Sequence, residues 1–201
     1  MSHTHSPTFL SDIAAPENDA LLWAKRAALV IFGILALTLA AKAKVAVPPS
    51  PVPVNLGTFA VLGIGAAYGP RLGMATIAGY MLIGALGFDV FANSSADKNG
   101  IAYMLGGSGG YLLGYVLAAL TLGLLAARGW DRSVVWMALA MFVGNAMIYV
   151  PGLLWLNGFA DSWAQTLSWG LAPFLIGDAL KLALAAVLLP TLWRFVGSAR
   201  G

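Results

Sequence analysis

Apolar residues gather in six long runs, at about Ala27–Ala43, Val54–Tyr68, Leu72–Phe88, Tyr103–Ala127, Val134–Leu156 and Leu171–Trp193. Polar, glycine-rich or proline-rich stretches separate them. Runs of roughly 15 to 25 residues suit helices that cross a bilayer and are too long for barrel strands of about 10. The pattern predicts six membrane-spanning helices. The second run is short: at about 1.5 Å per residue it covers less than a ~30 Å hydrocarbon core. Either it tilts near one interface, or the preceding proline-rich loop completes the crossing.

Composition turns this pattern into a class. The 201-residue chain is 60% hydrophobic and 9% charged, with a mean hydropathy of +0.83. Soluble domains carry about 25% charged residues, so the expectation is an all-α integral membrane protein. The domain reading is a flexible N-terminal tail over 1–24, a six-helix membrane domain over 25–195 and a short tail over 196–201. The polar start, with Pro7, Pro16, Glu17 and Asp19, does not read as a signal peptide. No stretch outside the runs is long enough for an ATPase domain.

The net charge of +3 bears on orientation rather than on nucleic acid. With the N-terminus in the cytoplasm, Lys25, Arg26, Arg71, Arg128, Arg132, Arg194 and Arg200 fall inside. Lys42, Lys44 and Lys98 fall outside. That asymmetry predicts both termini in the cytoplasm.

Three outer segments stand out. Val47-Pro-Pro-Ser-Pro-Val-Pro-Val-Asn55 holds four prolines within six residues, which predicts a stiff extended strap. The stretch from Asp89 to Gly110 mixes aromatics, amides, a charge pair and a glycine cluster. It reads either as a backbone path drawn close to a ligand or as an exposed loop of turn formers. Asn157–Gly170, with Trp163 and Trp169, reads as an interfacial helix or belt.

The strongest chemical signal lies in the last run. Asp178 and Lys181 stand three apart within Leu171–Pro190, so their heads share one helix face. Ionisable groups at membrane depth are expensive and usually mark a pathway or a site. In one reading the pair presents an anion and a cation to a small polar ligand. In the other it is a self-neutralising intrahelical pair with a snorkelling lysine. Both readings stand on physics alone. Small-residue pairs at Ala36/Ala40, Gly69/Gly73 and Gly110/Gly114 permit close helix approach, and the first of these could face a partner protein. Pro151 should kink the fifth helix, and Asn145 either seals an interhelical contact or lines a cavity.

Several chemistries are excluded. His3 and His5 are the only histidines and both lie in the tail, so no Ser-His-Asp set can form in the folded part. There is no cysteine, hence no disulfide or thiolate metal site. Gly106-Gly-Ser-Gly-Gly110 lacks the lysine of a phosphate loop. No enzyme, cofactor or metal is expected.

An ordered set of motifs remains: Pro51-Val-Pro53, Gly69-Pro-Arg-Leu-Gly73, Gly84-Ala-Leu-Gly87, Val90-Phe-Ala92, Gly107-Ser-Gly-Gly-Tyr-Leu-Leu-Gly114, Ile148-Tyr149 with Trp155-Leu156, and Gly177-Asp-x-x-Lys181. Together, over about residues 25–195, they resemble the BioY family, the biotin-specific S components of energy-coupling-factor (ECF) vitamin transporters. The resemblance implies a six-helix S-component-like bundle that binds biotin near the outer surface. It implies partners as well: a transmembrane coupling protein and two cytoplasmic ATPase subunits, with Ala36 and Ala40 on the coupling interface.

Asp178 and Lys181 match the acid and base that engage the ligand's polar ring. A ureido ring offers N–H donors and a carbonyl, which a carboxylate and an ammonium complement. Asn93, Tyr103 and Tyr111 are the matches for the loop contacts. Lys98 suits the tail carboxylate by charge alone. The chain departs from the family pattern at Asn55, Gly57, Asp89 and in the glycine motif, which bears on the loop contacts and leaves room for another small vitamin. The competing reading is a membrane scaffold in which the pair is structural.

Overall fold

A computed structural model describes residues 8–13, 16–46, 48, 50, 52–95 and 98–198. His3 and His5, Val47, Pro49 and Pro51 of the strap, Ala96 and Asp97 of the second loop, and Arg200 lie outside the described residues.

Asn18 Oδ1 accepts from the amides of Ala20 and Leu21 at 2.9 and 3.2 Å, which starts α1 (Asp19–Lys42). Such a cap satisfies donors that no helical carbonyl reaches. The helix therefore begins inside the segment that the sequence assigns to a tail. Upstream, Leu10–Asp12 form a 3-10 turn, and Phe9 and Leu10 pack against the core.

The second and third apolar runs form the two limbs of α2 (Gly57–Ala85), broken at Gly69 with φ 76° and ψ 177°. Only glycine adopts that backbone readily, and Pro70 suits the first turn of the limb that follows. A Cβ added to Gly73 would lie 3.3 Å from the Gly65 Cα. Along one continuous helix, positions eight apart are about 12 Å apart. The limbs, residues 57–68 and 70–85, therefore fold back against each other.

The fourth run is not one helix. It divides into α3 (Gly100–Met104) and α4 (Gly109–Ala127). Its glycines weaken helix propensity, and the turn is packed against backbone. A Cβ on Gly109 or Gly110 would meet the carbonyl of Met104 at 2.1 Å or that of Pro151 at 2.3 Å. Helix α5 (Val134–Leu156) continues through Pro151. Ser162 Oγ accepts from Gln165 N at 3.2 Å and starts the short α6 (Trp163–Gly170). A 3-10 turn at Ala172–Phe174 then leads into α7 (Leu175–Ser198). The proline strap is closed by a two-rung antiparallel ladder between β1 (Lys44–Val45) and β2 (Val54–Asn55).

Helix α4 packs most extensively on α2 and α5, with α1 on α2 and α7 on α5. Leu37, Val61, Ile77, Leu122, Met141 and Ile148 are buried between them. The outward faces are equally apolar: Ile176, Val135 and Leu39 are 79, 74 and 72% exposed. Apolar exposure of this kind suits hydrocarbon contact rather than water. Four segments are long and apolar enough to cross a membrane: Asp19–Lys42, Gly109–Ala127, Val134–Phe159 and Trp163–Val196.

Candidate functional site

The N-terminal ends of α2 and α7 meet at one end of the bundle. Asp178 lies in the first turn of α7, where unpaired amides favour a carboxylate, and Lys181 follows on the same face. Lys181 Nζ lies 3.0 Å from Asp178 Oδ1 and donates to Thr58 Oγ1 at 3.1 Å. Thr58 in turn donates to Asp178 Oδ1 at 3.5 Å. The Tyr149 hydroxyl donates to Asp178 Oδ2. The two charged side chains are only 8 and 11% exposed.

A count of hydrogen-bonding capacity shows what remains available. A carboxylate accepts about four hydrogen bonds and an ammonium donates three. Asp178 receives three donors, and Lys181 gives two of its hydrogens. About one acceptor position and one donor are left, and Lys181 lines the adjoining pocket. The ensemble can accept one N–H and donate to one carbonyl.

The pocket adjoining the pair spans about 620 Å³, counting the space that opens to its exterior. Its walls are mainly aromatic: Tyr80, Phe91, Tyr103, Tyr111, Tyr115, Tyr149 and Phe174. These rings support one another. Phe91 stacks on Tyr103 at 4.9 Å and meets Tyr80 edge-on at 5.3 Å. Tyr111 meets Tyr149 edge-on at 6.2 Å. Two of the hydroxyls are tied to backbone, Tyr80 to the Val90 carbonyl at 3.0 Å and Tyr111 to the Gly170 carbonyl at 2.9 Å. Val52 and Pro53 bring the proline strap over the same space. Ser50, also on the strap, lies 2.6 Å from the Trp169 carbonyl on α6.

Of the residues expected from sequence, Lys181, Tyr103 and Tyr111 line this pocket. Asp178 stands directly behind the lining, bonded to Tyr149 and Thr58. Asn93 lies off it, in an adjoining pocket of about 410 Å³ with Lys98, Gly106 and Gly107. The two pockets share Val52, Tyr103 and Ser108. Asn93 N donates to the Tyr103 hydroxyl at 3.3 Å, and Asn93 Oδ1 accepts from Lys44 at 2.8 Å. Ala36 and Ala40 are half-buried on α1, remote from the Asp178 pair in sequence. Asn145 does not line the pocket, and its Oδ1 is buried without a partner.

Sequence reading did not select Thr58, Tyr149, Tyr80 or Tyr115. Tyr149 carried a signal, since Ile148-Tyr149 is one of the ordered motifs behind the family resemblance. Thr58 carried none. The departures at Asn55 and Gly57 form one local arrangement. Asn55 Oδ1 accepts from Gly57 N at 2.7 Å, and a Cβ on Gly57 would lie 2.7 Å from that oxygen and 2.9 Å from the Tyr115 hydroxyl. Among the described residues, no group of three acidic, histidine or cysteine side chains could hold a metal ion.

Comparison with known proteins places this geometry in context. A family model described as the BioY family matches residues 11–198. The chain is 34% identical over 160 residues to a biotin transporter BioY of Thermotoga maritima, covering 80% of this chain and 92% of the relative. It is 36% identical over 146 residues to a probable biotin transporter BioY of Pyrococcus horikoshii, covering 73% of this chain and 83% of the relative. The fold is similar to a crystal structure of the S-component for biotin from an ECF-type ABC transporter. That match has a TM-score of 0.74 and 19% identity, and covers 89% of this chain and 95% of the other.

Proposed function

The chain belongs to the BioY family, and from that premise we propose that it is the biotin-binding subunit of a vitamin uptake transporter and not an enzyme. The observation that carries the reading is the Asp178–Lys181–Thr58–Tyr149 group, with about one acceptor position and one donor left over, beside an aromatic pocket. A ureido ring supplies the N–H and the carbonyl that the group lacks, and the thiophane ring and aliphatic tail suit the aromatic walls. Lys98, in the adjoining pocket, suits the tail carboxylate.

The arrangement we propose in the bilayer is six spans with both termini in the cytoplasm. The four long segments supply four of them, and the two limbs of α2 supply the others. Lys25, Arg26, Arg71, Arg128, Arg132 and Arg194 then share the inner end. The pocket lies at the outer end, where α1 finishes and α2, α4 and α7 begin. Release inward would require a coupling membrane protein and ATPase subunits, for which the α1 face around Ala36 and Ala40 is the proposed contact.

An equilibrium titration of the purified protein with biotin, with riboflavin and thiamin as controls, tests the reading. Asp178→Asn should weaken biotin binding by at least about fivefold, the scale of a hydrogen bond to a charged group. Unchanged affinity, or no biotin binding by the wild type, would overturn it. The pair is also bonded within the protein, which favours the scaffold reading as the second choice. In that case Asp178→Asn shifts thermal stability and no vitamin binds.

A further inference from the structure

A second and larger groove, of about 1740 Å³, lies at the other end of the bundle, between residues 8–12, the first half of α1 and the α2 turn. Three cations line it: Lys25, Arg26 and Arg71. Arg26 and Arg71 are exposed and Lys25 is half-buried. Among the described residues none of the three has a carboxylate within ion-pair distance. The one carboxylate in the lining is Asp12, which accepts from Phe9 N at 3.0 Å. Glu17 and Asp19, at the start of α1, do not line it. Lys25 Nζ donates to the Ile13 carbonyl at 2.6 Å, which holds its ammonium at the rim. Arg26 lies 5.4 Å from the Trp23 ring centroid, and that ring is 68% exposed. The floor is apolar, with Leu22, Leu29 and Leu72.

We propose that this groove binds an anionic phospholipid. Arg26, Arg71 and Lys25 take its phosphate headgroup, and Leu22, Leu29 and Leu72 take the upper part of an acyl chain. Several physical features favour this occupant. A cationic rim above an apolar floor at the end of a spanning helix matches an amphiphile with a negative head. Guanidinium groups bind phosphate oxygens in pairs, and basic pockets between membrane helices on the cytoplasmic side suit anionic headgroups. Trp23 stands where an interfacial indole belongs. The proposal rests on the membrane-spanning arrangement and is independent of which vitamin fills the outer pocket.

The test titrates the purified protein in detergent with micelles carrying phosphatidylglycerol or phosphatidylcholine, reading bound lipid by native mass spectrometry and unfolding temperature. Phosphatidylglycerol should bind and raise the unfolding temperature more than phosphatidylcholine does. Arg26→Gln with Arg71→Gln should weaken phosphatidylglycerol binding roughly thirtyfold. Arg128→Gln with Arg194→Gln, which removes two cations outside the groove, should leave it unchanged, and a cooperative thermal unfolding transition without added lipid reports that each variant is folded. Should the glutamine pair not fold, Arg26→Lys with Arg71→Lys keeps the charge, loses the paired donors, and should still weaken binding severalfold. Equal binding of both lipids would overturn the proposal. So would an equal loss in the Arg128/Arg194 variant, an unchanged lysine pair, or glycerol phosphate binding as tightly as the lipid.

Discussion

At the residue scale, the pocket site turns on how two opposite charges tolerate low polarity. Asp178 and Lys181 neutralise each other at 3.0 Å, and Thr58 and Tyr149 absorb part of the remaining hydrogen-bonding capacity. Removing one partner of a buried pair strands the other charge, which costs about 3–5 kcal/mol, whereas an apolar pair of similar size is often neutral. Lys181→Met should therefore lower the unfolding temperature markedly, and Asp178→Leu with Lys181→Met should recover most of it while abolishing biotin binding. A double variant no more stable than the single one would show that the charges are not coupled. The pair was legible in the sequence because two ionisable residues inside an apolar run have few alternatives. Thr58 was not, since it lies 120 positions from Asp178 and nothing along the chain links them.

At the element scale, helix contacts here depend on which glycines face a neighbour. A Cβ on Gly65 would lie 2.8 Å from the Ala119 carbonyl, whereas Gly63, half a turn away on the same limb, has nothing within 4 Å. Gly65→Ala should destabilise by about 1–3 kcal/mol through overpacking. Gly63→Ala should be neutral or stabilising by up to about 1 kcal/mol through helix propensity. Thermal unfolding of both variants checks the contrast. The six apolar runs anticipated the helical rods because spanning length is a one-dimensional property. They did not anticipate the stop at Met104 or the start at Asp19. The first depends on how the glycine turn packs on α5, the second on one capping amide.

The connections carry a further test at this scale. Lys42 at the end of α1 lies 2.5 Å from Asp89, and Lys44 reaches Asn93 and the Ala92 carbonyl. These bonds tie the loop after α2 to the end of α1 and to β1, through Asp89, one of the residues at which the chain departs from the family pattern. The hydrogen bonds from Lys42 and Ser94 hold the Asp89 carboxyl below its ordinary value. A depressed acid stabilises the fold above its unfolded pKa, near pH 4, and that contribution is lost as pH falls through the folded value. The difference in unfolding temperature between wild type and Asp89→Asn should be constant from about pH 8 to 5 and shrink as pH falls below about 4. Because the pair is exposed, the difference itself should be small.

At the scale of the whole molecule, the two ends are built differently. The pocket end holds the Asp178 group and the hydroxyls of Tyr80, Tyr111 and Tyr149, each bonded within the protein. The other end holds the described arginines, and Asp131 there accepts from Trp193 at 2.5 Å, pinning α7 to the turn between α4 and α5. Charge asymmetry across a bilayer sets orientation, so the pocket end should face outward. The chain has no cysteine, so any single introduced thiol reports without background. Gly158 is exposed beyond α5 with nothing within 4 Å of an added Cβ, and Arg128 is exposed after α4. In intact cells a membrane-impermeant maleimide should label Gly158→Cys at once. It should label Arg128→Cys only after permeabilisation. Labelling in the reverse order would place the biotin pocket on the cytoplasmic face, where it could not capture a vitamin from outside. Labelling of both from outside would mean that α5, the one long helix between the two positions, does not cross.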